Sequence, residues 1–122
     1  MIKIDGIEFN VPVIDLSRSA DFLDKFAKRT DDGGMQRELI GVYFNYQLKL
    51  GIAKDAAEYQ RLWDKLTEPV EFHTVTVPGT DGKYTFKAYF SNVKDKLLMV
   101  RKERNYWQDL TVNFTAQVPA RS

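Results

Sequence analysis

The chain has no cysteine. Disulfide staples, thiolate metal sites and a cysteine nucleophile are therefore excluded. The absence is compatible with folding in the cytosol and does not exclude a later extracellular existence. There is one histidine, His73. A metal site or general base built on it would need partners, and Glu71, two residues away, is the only local candidate. His73 is read as a structural or surface strand residue. Charge of one sign is also lacking: 18 basic residues face 17 acidic ones, for a formal charge of +1. A dedicated nucleic-acid binder normally carries a larger positive excess, so nucleic acid is not expected as a partner beyond a local patch. No apolar run approaches the roughly 20 residues of a membrane helix, and no membrane partner is expected. The start, Met1-Ile2-Lys3-Ile4-Asp5-Gly6, is too short and polar for a secretory leader, so cytoplasmic synthesis and folding are expected.

Motifs of chemistry are equally scarce. Asp31-Asp32-Gly33-Gly34 and Asp81-Gly82 lack the acidic spacing of a calcium loop and read as turns. Gly33-Gly34 lacks the spacing and the following Lys-Ser/Thr of a phosphate cradle. Asp15, Asp21, Asp24, Asp31 and Asp32 are scattered, and no pair can be given acid and base roles. The expectation is no catalytic residue, no cofactor and no metal.

What is present is enough for a single domain over residues 1–122, with 43% hydrophobic and 29% charged residues. The clearest stretch runs from Leu39 to Val77 as strand, helix, strand. Val42, Phe44, Tyr46, Leu48 and Leu50 alternate with Tyr43, Asn45, Gln47 and Lys49, the period of a sheet with one buried face. A helix over about 54–66 follows. Asp55 caps it and Glu58 completes a box-like pattern, while Ala56, Tyr59, Leu62, Trp63 and Leu66 form its apolar face. Pro69 ends it, and a strand over 70–77 follows with a phase problem that predicts a bulge near His73 or two partly covered faces.

Asp5-Gly6 between short apolar runs predicts a hairpin with Ile2, Ile4, Ile7 and Phe9 inward. Pro78 to Gly82 predicts a turn into Tyr84, Phe86, Ala88 and Phe90. A break is expected at Ser91-Asn92, a turn at Asn105, and a final strand from Leu110 to Val118. These elements predict a mainly β (α+β) fold. It is a small antiparallel β-sandwich or open barrel with one packed helix.

Residues 17–38 form a long arm or loop. It reads either as a short helix over 19–28 or as an extended arm. In the extended case Phe22, Leu23 and Phe26 would lie in water unless a neighbouring subunit covers them, so they are the candidate subunit interface. Lys94, Lys96, Arg101, Lys102 and Arg104, followed by Tyr106 and Trp107, could instead hold single-stranded nucleic acid by phosphate contacts and stacking. The competing interpretation is a solvated loop followed by aromatic core residues, which the near-neutral charge favours.

The order of these elements and several local strings carry a resemblance. The start Met1-Ile2-Lys3-Ile4-Asp5-Gly6-Ile7-Glu8 leads to a polar arm ending Asp31-Asp32-Gly33-Gly34-Met35-Gln36-Arg37-Glu38. A long strand, a capped helix, and Val70-Glu71-Phe72-His73-Thr74-Val75-Thr76-Val77-Pro78 with Gly82-Lys83-Tyr84 follow. The chain closes on Tyr106-Trp107-Gln108-Asp109-Leu110-Thr111-Val112-Asn113-Phe114-Thr115-Ala116. This resembles small structural proteins encoded in the tail modules of bacteriophages and prophages of Gram-positive bacteria. In element order it is similar to the tail-tube and distal-tail fold, a β-sandwich or barrel with a flanking helix and a long assembly loop. The resemblance implies a non-enzymatic protein of the tail tube, tube end or baseplate. It implies a ring-forming homo-oligomer with other tail proteins as partners, present in the host cytoplasm during assembly and then in the virion tail.

Overall fold

In a computed structural model we describe residues 2–29, 33–52, 55–101 and 104–121, with the side chains of 25–29, 35–37, 101 and 104 left aside. The chain forms β1 (Lys3–Ile4), β2 (Ile7–Glu8), β3 (Val13–Arg29), β4 (Met35–Leu50), α1 (Ala56–Leu66), β5 (His73–Pro78), β6 (Lys83–Arg101) and β7 (Arg104–Ala116). The strands make one curled antiparallel sheet in the order β2-β1-β5-β6-β7-β4-β3. The architecture is the expected small open barrel with one packed helix. Among the described residues no helix is long and apolar enough to cross a membrane.

Alternation sets the inner face. Leu48 and Leu50 of β4, Val75 and Val77 of β5, and Leu110, Val112 and Phe114 of β7 all turn inward and are buried. Leu62 and Leu66 of α1 join them, with Tyr59 and Trp63 only partly covered and Ala56 exposed. Burying each leucine contributes about 1.5–3 kcal/mol in gross terms, which seats the helix on the sheet. Asp55 caps it, accepting from the Ala57 N–H at 2.9 Å. The box-like role expected of Glu58 is replaced by a tertiary one: its carboxylate accepts from the Asn10 N–H at 3.0 Å and pairs with Arg61 at 2.9 Å. Asp5-Gly6 makes the expected tight hairpin, with φ of 53° and 79° at its two central positions. Both angles positive is the turn whose twist matches that of the strands. Ile2, Ile4 and Phe9 point into the core, while Ile7 on the edge strand is exposed.

Several expectations are corrected. Residues 70–72 are not strand, and Val70 and Phe72 are exposed. β5 starts at His73, and His73, Val75 and Val77 share one parity, so the phase conflict disappears without a bulge. Ser91-Asn92 does not end a strand: β6 continues through a register shift between Ser91 and Lys94, with Asn92 at φ 55°. Asn105 lies inside β7 opposite Val100, and Val118 lies beyond it, exposed. The helix over 19–28 is replaced by strand. From Asp15 to Arg29, β3 pairs with β4 through two register shifts, because cross-strand pairing overrides the local helical composition. Asp31 and Asp32 lie outside the described residues; Gly33 beside them has a φ of 88°, as a turn requires.

Two hairpin arms result. β4 pairs with β7 only from Tyr46 to Leu50, against Phe114 to Leu110. Residues 35–45 with their β3 partners therefore run past one end of β7. Residues 104–109 with their β6 partners run past Leu50 at the other end. The chain's last residues brace the first arm: Val42 donates to Arg121 at 2.7 Å and accepts from Ala120 at 2.8 Å.

Candidate functional site

Phe22 and Leu23 project from the β3–β4 arm, 59% and 47% exposed. Neighbouring strand residues point to opposite faces, so the ribbon is apolar on both sides at this level. Leu39 and Ile40 on β4 add to it. Phe22 faces Val42 and Leu23 faces Gly41, so these residues are not under the protein's own sheet. Phe26 lies in β3 opposite Glu38, and its side chain is outside the described ones.

Residues 94–101 and 104–107 are strand and form the outer part of the β6–β7 arm. Lys94 and Lys96 are exposed, as is Trp107 at 40%, which overturns its assignment to the core. Trp107 lies opposite Leu97, next to the exposed run Leu97 to Val100. Arg101 and Arg104 are cross-strand partners at the tip, their side chains outside the described ones; Lys102 is outside the described residues altogether. The base of this arm is tied to the helix by the Tyr59 hydroxyl, which donates to Asp95 at 3.0 Å. Burial, then that hydrogen bond, then the charges of Asp95 and Asp109 push the Tyr59 phenol well above its ordinary range.

A site of convergent titratable groups was missed in the sequence, because Asp5 and His73 are 68 residues apart. His73 is buried, 4% exposed, and its Nδ1 lies 2.7 Å from Asp5 Oδ2. Glu68 Oε1 is 3.9 Å from the same nitrogen. Lys65 Nζ sits 3.6 Å from Asp5 Oδ2 and 3.2 Å from Glu68 Oε1. Glu71, the partner suggested by proximity in sequence, is exposed and off the strand. The ring of His73 stacks on Phe90 at 4.6 Å. Burial works to raise the Asp5 carboxyl, but hydrogen bonds from His73 and the Thr74 N–H and the charges of His73 and Lys65 outweigh it and hold it below the ordinary aspartate value.

An aspartate on Nδ1 is how a catalytic histidine is oriented, with Nε2 left to move a proton. Here Nε2 is sealed from solvent and has no hydrogen-bond partner among the described residues. Asp5, Glu68 and His73 also place three donor atoms within 4.8 Å of one another, near enough for one metal ion. The Lys65 ammonium lies between the two carboxylates and offsets part of their charge, and a metal held through His73 Nδ1 would have to open the Asp5–His73 bond. The cluster acts as a tie between the N-terminal hairpin, the helix end and β5.

A shallow groove of about 300 Å³ on the outer face is lined mostly by uncharged polar residues, among them Ser19, Asn45, Gln47 and Asn113, together with Arg18. Asn45 is engaged there on both sides of its amide, donating to Asp21 and accepting from the Ala116 N–H at 2.9 Å. Comparison with known protein families, with curated proteins and with solved structures finds no match.

Proposed function

We propose that the chain is a non-enzymatic structural subunit of a bacteriophage or prophage tail, assembling with copies of itself or with neighbouring tail proteins in the tube, the tube end or the baseplate. The observation that carries assembly is the β3–β4 arm. Phe22, Leu23, Leu39 and Ile40 are all exposed on this two-stranded ribbon. Contiguous apolar surface of this kind marks an interaction site. The tail assignment rests on the resemblance in element order and local strings. A barrel body with arms leaving both ends suits a subunit that must hold neighbours on two sides.

The second reading is a small β-barrel module that binds single-stranded nucleic acid. It is favoured by one observation, the exposure of Lys94, Lys96 and Trp107 on the same arm.

Sedimentation of the chain over a concentration range, with and without a single-stranded oligonucleotide, tests both. Self-assembly without nucleic acid, lost in Phe22→Ser/Leu23→Ser, is the expected result. A chain that stays monomeric alone and shifts only with oligonucleotide, with steep salt dependence, would replace the first reading by the second.

A further inference from the structure

Beyond β7 the chain crosses to an edge of β4 that β7 leaves uncovered. β7 pairs with β4 only from Tyr46 to Leu50, so the same edge continues from Asn45 back to Met35 without it. Among the described residues one strand-like pairing lies there, the bridge between Val42 and Arg121. Val42 donates to the Arg121 carbonyl at 2.7 Å, and its own carbonyl accepts from Ala120 at 2.8 Å and from Arg121 at 3.3 Å. Residues 117–121 thus form a strap on the base of the β3–β4 arm. Gly41 makes room for it. Its φ is not positive, so the backbone angle does not call for glycine, whereas a Cβ would lie 2.6 Å from the Pro119 Cβ and 2.9 Å from the Arg121 carbonyl oxygen. Glycine inside a strand marks such a close approach of backbone.

The strap covers apolar surface and polar edge at once. Val42 is buried, yet it stands apart from the buried cluster of the barrel. Its neighbours are Phe22 across β3 and the strap on the other side. Phe22, Leu23, Leu39 and Ile40 around it are exposed. An uncovered strand edge is a template for another strand, and proline, with no N–H to offer, is a common guard of such edges. The strap is lightly held. Gln117, Val118, Ala120 and Arg121 are exposed, and Pro119 is partly buried. A segment with few buried apolar contacts opens locally while the core stays folded.

We propose that the 117–121 strap is an autoinhibitory clasp on the β3–β4 arm: seated, it keeps a second copy off the β4 edge at Gly41 and Val42, and its local opening admits one. The clasp rests on the assembly reading above and regulates that same arm. Opening bares the Val42 N–H and carbonyl for strand pairing. It also joins the Val42 side chain to the exposed set of Phe22, Leu23, Leu39 and Ile40. The partner is a second copy because the edge is continuous with the apolar set that carries self-assembly. Such a contact gains ladder hydrogen bonds as well as apolar burial.

The test locks the clasp. The chain has no native cysteine, so Val42→Cys/Arg121→Cys carries the only two thiols. A hydrogen-bonded antiparallel pair has Cα atoms about 5.5 Å apart, within reach of a disulfide. The variant is oxidised at high dilution. Sedimentation over a concentration range then compares its oxidised and reduced forms with the parent and with Gly41→Ala, whose methyl group displaces Pro119. Circular dichroism verifies folding. The oxidised form should associate at least about tenfold more weakly than the reduced form, and Gly41→Ala about tenfold more tightly than the parent. If the parent assembles and the oxidised and reduced forms do so equally well, the clasp is wrong while the assembly reading stands. The clasp is equally overturned if no intramolecular disulfide forms, or if a folded Gly41→Ala associates no more tightly than the parent. If Gly41→Ala does not fold, the oxidised and reduced forms decide alone. If the parent, the reduced form and Gly41→Ala are monomeric at every concentration, the assembly reading fails and takes the clasp with it.

Discussion

Asp5 holds a left-handed turn position, with φ of 53°, and its carboxylate serves the Thr74 N–H, His73 and Lys65 at once. These partners hold its pKa in the fold below the ordinary aspartate value. A depressed carboxyl adds stability that is fully present above the unfolded pKa and is lost as pH falls through the folded value. Asparagine tolerates the same backbone angle, so Asp5→Asn isolates the charge. Chemical denaturation should show Asp5→Asn less stable than the parent at pH 7. The difference should begin to shrink as the pH falls below about 4, the ordinary aspartate value, and vanish only below the lower folded value, where the parent's own carboxylate is protonated. Equal midpoints at pH 7 would mean that the carboxylate does not hold the hairpin to β5. The same cluster predicts that excess zinc leaves the thermal midpoint unmoved, since Lys65 supplies the positive charge. A zinc-dependent rise that disappears in His73→Ala would assign a metal instead.

At the scale of elements, the helix and the first arm are held by different means. Leu62 is buried, whereas Trp63 is only partly covered at the edge of the core. Leu62→Ala should cost about 2–5 kcal/mol, and Trp63→Ala less than the roughly 3–5 kcal/mol of a fully buried aromatic. Urea midpoints of the two variants give the ranking, and a larger loss at Trp63 would show that the helix is rotated. The first arm is braced by the final residues, which pass so near Gly41 that a Cβ there would lie 2.6 Å from the Cβ of Pro119 and 2.9 Å from the Arg121 carbonyl oxygen. Gly41→Val should therefore destabilise by about 1–3 kcal/mol and free residues 119–121. Amide exchange at Val42 and Ala120 measures this, because their N–H groups bond across the brace.

For the whole molecule, body and arms are separable. Among the described residues, none from Leu97 to Tyr106 belongs to the buried core, which is built from β1, the 9–11 segment, the inner ends of β4 and β7, β5, Ala88 of β6 and the helix. Leu97 and Trp107 face each other across the arm. Replacing 98–106 by Asn-Gly between them makes a two-residue hairpin of the favoured kind. The shortened chain should unfold cooperatively, with a urea midpoint close to the parent's and a sheet-rich circular-dichroism spectrum. Loss of cooperativity would show that the arm is part of the folding unit.

Local pattern alone was enough for the barrel's inner face, the tight Asp5-Gly6 turn and the capped helix. Alternation along β4 and β7, a turn that needs two positive φ angles, and a 3.6-residue stripe are all written within a few residues of one another. The exclusion of thiol chemistry is compositional and needs no structure. Tertiary pairing decided the rest. Residues 19–28 have the composition of a helix and became strand because β4 offered a partner through two compensating shifts. Trp107 has the composition of a core residue and stays exposed because its strand runs past the end of the sheet. Asp5, Lys65, Glu68 and His73 meet only through the folding of β1, α1 and β5. No spacing rule links a hairpin turn to a strand 68 residues away, so proximity in sequence pointed to Glu71, and the fold chose Asp5.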